Sequence, residues 1–260
     1  MPDTWDPQTY ERFEAERRLP FDDLLALVTP CPGGRVVDLG SGTGALTAEL
    51  HTHTEAATTL GIERSAAMLD RSPTAPGLRF EAGDIEDFAD SGIDEIDVVF
   101  ANAALQWVSD HPALVARLVS TLGPGGQLAF QVPANYNHPS HRLANRMAHE
   151  EPFLSAFGGQ PPPDRAATVL APEAYAELLD TLGAVELHVR LQVYGHHLAT
   201  SGDVVTWVQG TLLTPFRAGL DDTTWDLFLA DYTRRLTAEL GTAEPYFYAF
   251  NRILVRARFA

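Results

Sequence analysis

Arg35-Val-Val-Asp-Leu39 is a short apolar run that ends directly in Gly40-Ser41-Gly42-Thr43-Gly44 and then in a helical pattern over Thr43–His53. A continuous apolar run of this length predicts a strand buried on both faces, and glycines at alternate positions let the chain reverse tightly into the helix. The unit recurs. Thr58–Ile62, Leu78–Ala82, Ile96–Ala101 and Leu128–Val132 are further apolar runs, Ser65 is placed to cap a helix through Leu69, and Pro112–Leu122 reads as a helix closed by the Gly-Pro-Gly-Gly turn at 123–126. Such strands separated by helices predict an α/β fold, a mostly parallel sheet with helices on both faces.

The second half changes character. Ser140–Phe153 and Pro172–Leu182 read as helices around a Gly/Pro-rich loop at 158–163. Val185–Tyr194 and Phe247–Phe259 alternate as strands, and about fifty residues with two helical patterns, Asp203–Leu213 and Thr224–Leu240, lie between them. A hairpin needs only a few residues, so this insertion predicts a helical cap. The chain is therefore expected to be one domain over 1–260: N-terminal lid helices at 1–30, a ligand-binding core at 31–135, its continuation at 136–200, a helical cap at 201–245 and a last strand at 246–260.

Composition removes several functions. With 18 basic and 35 acidic residues the net charge is −17, a poor match for nucleic acid or an anionic membrane. Every basic residue is arginine, which excludes lysine Schiff bases, a P-loop and the Tyr/Lys pair of many reductases. The one cysteine, Cys31, cannot close an internal disulfide or build a thiolate metal cluster. The first residues lack the basic and apolar regions of a secretory signal, and no apolar stretch reaches the ~18 residues of a membrane helix. A cytoplasmic protein acting on a small molecule, without a metal, is expected.

Three acids qualify the glycine turn. Glycine-rich strand–helix turns hold nucleotides against main-chain N–H groups, and a dinucleotide fingerprint tolerates the alanine at position 45. Glu63 ends the second strand, where an acid can accept both ribose hydroxyls, and Asp84 ends the third, where it can hold an exocyclic adenine amine. Asp38, inside the turn motif, serves a pyrophosphate badly and a phosphate-free cation well. S-adenosylmethionine, with its sulfonium and ammonium groups, fits.

With these residues in place the chain resembles the class I S-adenosylmethionine-dependent methyltransferases, and is more similar still to the trans-aconitate methyltransferases. The likeness runs over nearly the whole chain: Trp5-Asp6-Pro7, Tyr10, Phe13, Arg17 and Pro20; Asp38–Gly44; Phe100–Trp107; Gln131–Asn135; Tyr194 with His196; Trp207-Val208; and Arg252. It implies a Rossmann-like sheet of seven strands with a C-terminal antiparallel pair, and S-adenosylmethionine held by Asp38, Gly40, Ser41, Gly42, Thr43, Gly44, Glu63, Arg64, Met68, Asp84, Ile85, Asn102, Ala103 and Trp107. It implies an acceptor site made by Tyr10, Phe13, Arg17, Gln106, Asn135, Tyr194, His196, Trp207 and Arg252. The chain departs from the family pattern at Ser41, Thr43 and Glu63, and more consequentially at Leu19, where the family often has arginine, and at Thr214, where some members carry a cap arginine.

The chemistry implied is methyl transfer to a carboxylate of a small polycarboxylic acid, trans-aconitate, giving a methyl ester. A carboxylate with a pKa near ~4 is ionised at neutral pH and needs no general base, so no residue is assigned a catalytic proton transfer and the side chains serve for positioning alone. Arginine suits an anionic acceptor because its fork binds carboxylates bidentately. A hydroxyl or amine acceptor would instead need a base, with His196 or His197 as candidates, whereas Arg217, Arg234 and Arg235 read as solvated helix faces. The alternatives are a methyltransferase for another small acid or natural-product intermediate, a nicotinamide-dependent oxidoreductase, and a non-catalytic nucleotide-binding protein.

Overall fold

The computed structural model describes residues 14–260, with side chains from Arg18 onward. Seven strands form one sheet in the order β3-β2-β1-β4-β5-β7-β6. They are β1 (Arg35–Leu39), β2 (Thr58–Glu63), β3 (Leu78–Ala82), β4 (Ile96–Asn102), β5 (Leu122–Pro133), β6 (Ala184–Leu198) and β7 (Tyr246–Phe259). Strands β1 to β5 pair in parallel, and β7 runs antiparallel to β5, with Pro133 opposite Arg252 and Gln127 opposite Arg258. The parallel sheet and its antiparallel end match the sequence expectation. No helix among the described residues is long and apolar enough to cross a membrane.

The chain divides into two compact units. The first takes 18–134, 167–192 and 252–260; the second, among described residues, takes 14–17, 135–166 and 193–251. In the first, Val37, Leu39, Val99, Ala101, Phe130, Val132, Val255 and Ala257 form a continuous core with Leu114 and Leu118 of the helix His111–Ser120 and with Tyr175 and Leu179 of the helix Pro172–Thr181. This explains why β1 and β4 read as mostly apolar runs, since both faces of each strand are covered. The edge strand β6 differs: Val185, Leu187 and Leu191 are exposed.

The second unit has its own core. Trp207, Phe216, Phe228, Tyr232 and Tyr248 are each fully or almost fully buried, with Phe153 edge-on to Phe228 at 5.0 Å and Phe216 stacked on it at 5.7 Å. Aromatic packing of this kind stabilises by about 0.5–1.5 kcal/mol per pair beyond the area buried. The Tyr232 hydroxyl is satisfied by donating to the Ser140 carbonyl at 3.0 Å.

Several element boundaries correct the sequence reading. The helix after β1 is Ala45–Thr54, because Gly44 at φ 75° keeps Thr43 in the turn. Ser140–Phe153 is not one helix: Pro139–Ala148 ends at His149, and Pro152 opens a separate turn at Phe153–Ala156. The cap helix expected over 203–213 stops at Gln209 before Gly210, and a second helix, Thr214–Gly219, starts with Pro215 in its first turn. Gly123–Gly126 is not a terminator ahead of the strand but an interruption within β5, for the register jumps from Ile96–Leu122 to Val98–Gln127. A Cβ on Gly126 would lie 2.8 Å from the Gly123 carbonyl, so only glycine fits this bulge. β6 extends past Tyr194 to Leu198.

A buried relay holds the segment after β4. His111 Nε2 donates to the Leu105 carbonyl at 3.0 Å, and its Nδ1 accepts from the Tyr175 hydroxyl, which in turn accepts from Leu170 N–H at 3.4 Å. Burial pushes the His111 pKa below its usual value; the Leu105 bond and Asp110 oppose this more weakly. A histidine whose folded pKa is depressed stabilises the fold above the unfolded pKa of ~6.5 and loses that contribution as the pH falls below it. Tyr175→Phe strands the His111 acceptor, so it is expected to cost about 1–3 kcal/mol in denaturant unfolding at pH 7.5. The difference from wild type should shrink as the pH is lowered and His111 becomes protonated in the variant. Identical unfolding curves at pH 7.5 would contradict the relay.

Candidate active site

The parallel strands release their chains at one edge of the sheet, and that edge gathers the sequence-predicted ligand residues of the first unit. The turn after β1 has Gly40, Gly42 and Gly44 at φ 77°, 57° and 75°. These are left-handed conformations that L side chains rarely adopt. A Cβ on Gly40 would lie 2.5 Å from the Ala104 Cβ, whereas Gly42 faces open space. Between them Ser41 is buried, and its Oγ has no hydrogen-bond partner. The turn thus joins a backbone open to approach with a buried hydroxyl left to satisfy.

The acids sit around it. Asp38 is almost fully buried and accepts from Thr47 Oγ1 at 2.6 Å. Burial pushes its pKa up to about 7, the Thr47 bond opposing and the Glu63 charge adding to the rise. Glu63, the last residue of β2, accepts from Gly42 N–H at 3.0 Å through Oε2 and from Ser65 N–H at 2.9 Å through Oε1. Its carboxylate therefore pins the glycine turn, a role additional to any ligand contact, and has lone pairs remaining for other donors. Asp84 follows β3 and precedes the helix Ile85–Ala89; Arg64 lies 3.8 Å from it on the surface. Met68 lies on the short helix Ala66–Leu69.

At the end of β4, Asn102 Oδ1 accepts from Gln131 Nε2 at 2.7 Å, and Gln131 Oε1 accepts from Arg252 Nη1 at 2.9 Å. Gln131 is 1% and Arg252 8% exposed, so Arg252 is a buried strand arginine, not an outward one. Ala103 takes φ 54°, donates to the Gln131 carbonyl at 3.0 Å and accepts from Gln106 Nε2 at 2.6 Å. Trp107 on the following 3₁₀ turn is 40% exposed. Sequence reasoning placed Gln131 in a family motif without giving it a role. The available signal was an amide inside the apolar run Leu128–Val132.

In the second unit, Tyr194 and His196 project from alternate positions of β6 and are buried. His196 lies 4.8 Å from the Trp207 ring, which meets Tyr248 at 5.6 Å and Phe250 at 5.8 Å. Asn135 Nδ2 donates to the Tyr248 hydroxyl at 3.4 Å, and its Oδ1 accepts from Asn251 N–H at 3.2 Å. Asn135, His196 and Trp207 thus belong to one aromatic cluster. Its other members, Tyr248 and Phe250, were missed because an alternating aromatic strand also reads as ordinary core. Arg217, Arg234 and Arg235 are ion-paired with Asp222, Asp231 and Glu150. Tyr10, Phe13 and the Arg17 side chain lie outside the described residues.

Residues 11–160 match the family described as "Methyltransferase domain". The chain is 44% identical over 254 residues to a trans-aconitate 2-methyltransferase of Deinococcus radiodurans, covering 96% of both chains. It is 40% identical to the protein of that name from Variovorax paradoxus, covering 89% of this chain and 88% of the relative. Among solved structures it is similar in fold to phosphoethanolamine N-methyltransferase 2 of Haemonchus contortus in complex with S-adenosyl-L-methionine. That match has a TM-score of 0.53 and 14% identity, and covers 95% of this chain and 52% of that one. These relatives set aside the nicotinamide reading of the glycine turn. The chain belongs to the methyltransferase-domain family and, within it, to the trans-aconitate 2-methyltransferases.

Proposed function

We propose that the protein transfers a methyl group from S-adenosylmethionine to a carboxylate of a small polycarboxylic acid, trans-aconitate, and releases a methyl ester. The observation that carries this reading is Arg252, a buried guanidinium tied through Gln131 to Asn102 at the sheet edge that also bears the glycine turn. A chain of net charge −17 repels a polycarboxylate unless a local cation meets it.

The residues of the turn suit the cofactor. The unsatisfied Ser41 hydroxyl and the open side of Gly42 favour a ligand lying against the main chain, and the acids Asp38, Glu63 and Asp84 favour a cation over a pyrophosphate. In this reading Glu63 takes the ribose hydroxyls, and Asp84 with Ile85 takes the adenine. Asp38, Gly40, Ser41, Gly42, Thr43 and Gly44 hold the amino-acid end, and Arg64, Met68, Asn102, Ala103 and Trp107 complete the surround. S-adenosylmethionine, when bound, supplies an electrophilic methyl carbon on a sulfonium. Gln106 and Arg252 align the acceptor carboxylate, and the family pattern adds Asn135, Tyr194, His196 and Trp207, with Tyr10, Phe13 and Arg17 from the N-terminal segment. No side chain has to remove a proton, because the acceptor is already ionised. The work is orientation and exclusion of water.

Three outcomes are expected. Incubation with trans-aconitate and labelled S-adenosylmethionine should give a product that mild base returns to the parent acid, as mass analysis would show; a base-stable methyl ether or amine overturns the carboxylate reading. Glu63→Ala should weaken S-adenosylmethionine binding by about 2–3 kcal/mol in calorimetry while circular dichroism stays native, since charge-assisted hydrogen bonds and the pinned turn are both lost. Unchanged affinity in the folded variant would remove Glu63 from the site. The third concerns pH. Asp38 holds a proton up to about pH 7 in the free protein, and a cation beside it favours the ionised form. S-adenosylmethionine binding should therefore release a proton near pH 6–7 and tighten with rising pH, by up to about tenfold from pH 6 to 8. Calorimetry in buffers of different ionisation enthalpy reads that proton directly, and Asp38→Asn should abolish it. At saturating cofactor, kcat should show no rise from deprotonation of the acceptor across the same range.

A further inference from the structure

We propose that His111 is a positioning residue: from the start of its helix it fixes the short turn that carries Gln106 and Trp107, and thereby sets how tightly the cofactor is held. This rests on the functional reading above. The segment Leu105–Trp107 is a single 3₁₀ turn, closed by Trp107 N–H on the Ala104 carbonyl at 3.1 Å and Val108 N–H on the Leu105 carbonyl at 2.9 Å. Hydrogen bonds of such a turn have poor geometry, so it holds its shape weakly by itself. Two left-handed residues that are not glycine bracket it, Ala103 at φ 54° and Asp110 at φ 52°. That conformation persists only where the surroundings impose it. The placement of the turn is also tight. A Cβ on Gly40 would lie 2.5 Å from the Ala104 Cβ, so a displaced turn bears directly on the backbone against which the cofactor is proposed to lie.

His111 supplies the restraint. It is the first residue of the helix His111–Ser120, whose Leu114 and Leu118 are fully buried, and Asp110 caps that helix by accepting from Ala113 N–H at 3.2 Å. The buried ring reaches back six residues, and Nε2 meets the Leu105 carbonyl at 3.0 Å. That carbonyl already accepts from Val108 N–H, so His111 takes its second lone pair. A carbonyl only accepts, so Nε2 carries the proton, and Nδ1 is the nitrogen that accepts from the Tyr175 hydroxyl. The two ring nitrogens therefore have separate tasks. Nδ1 joins the histidine to the helix Pro172–Thr181, and Nε2 joins it to the turn beside the glycines.

That separation makes the two tasks testable apart, using the full chain and S-adenosylmethionine. Asparagine can place a polar atom near the position of Nδ1 but does not reach Leu105, whereas glutamine can place its amide nitrogen near the position of Nε2. His111→Asn should weaken S-adenosylmethionine binding about fivefold or more in calorimetry and speed hydrogen exchange at the Trp107 and Val108 amides. His111→Gln should keep the Leu105 bond and bind within about twofold of wild type. Tyr175→Phe lowers stability but leaves Nε2 on Leu105, so at a temperature where it is fully folded it should match wild type in affinity and in exchange at those amides. Should His111→Asn fail to fold, His111→Leu combined with Tyr175→Phe removes both polar partners together, which a core tolerates better than stranding one, and it should show the same loss of affinity. Wild-type affinity in folded His111→Asn or in the double variant overturns the inference. So does a loss in His111→Gln or Tyr175→Phe as large as in His111→Asn, because affinity would then follow stability and not the Leu105 bond. In either case a wild type that binds S-adenosylmethionine leaves the functional reading standing. A wild type that does not bind it overturns both.

Discussion

Parallel strands deliver the ends of successive segments to one edge of a sheet, and everything proposed for the first unit depends on that constraint. The order β3-β2-β1-β4-β5 switches direction between β1 and β4, and sheets of this type bind ligands outside the strand ends at such a switch point. Glu63 then ties two of the segments together, because its carboxylate receives N–H groups from the turn after β1 and from its own strand end. The order of the glycine turn therefore depends on one carboxylate, and the proposed cofactor contact would fall on that same group.

The parts of the fold legible in the sequence are those where local and global demands agree. Val36-Val37 and Val98-Val99 are buried strands by composition and by position, and the glycines after β1 are required by backbone angle whatever is bound. Legibility fails where a tertiary contact decides. The helical period continues through Phe153 and Leu213, yet the helices end at Ala148 and Gln209, and Phe153 and Phe216 enter the aromatic core of the second unit from separate short helices. The Gly123–Gly126 bulge looks like a terminator until the register with β4 is known.

The candidate site divides the same way. Acids at strand ends can be placed from spacing alone, and the structure puts Asp38, Glu63 and Asp84 at the edge expected. What spacing cannot give is the direction of a hydrogen bond. Gln131 reads as an ordinary polar residue in a strand, and its meaning appears only when Arg252, 121 positions away, is found against it. Nor does spacing show that Asp38 sits where burial raises its pKa to about 7, since in the sequence it is one acid among 35 acidic residues.

The edge strand β6 bears on how the protein behaves at high concentration. It presents Val185, Leu187 and Leu191 on one exposed face, and a long edge strand with aliphatic side chains is a template for pairing with another chain. Glu186 alternates with these residues and is exposed beside Arg258, and the molecule as a whole carries −17. Mutual repulsion between copies opposes edge-to-edge contact at long range, and salt weakens that repulsion within a Debye length of about 8 Å at physiological ionic strength. The acidity that makes a local cation necessary for an anionic acceptor therefore has a second effect: it sets the colloidal stability of a fold whose edge strand β6 has a neighbouring strand on one side only among the described residues.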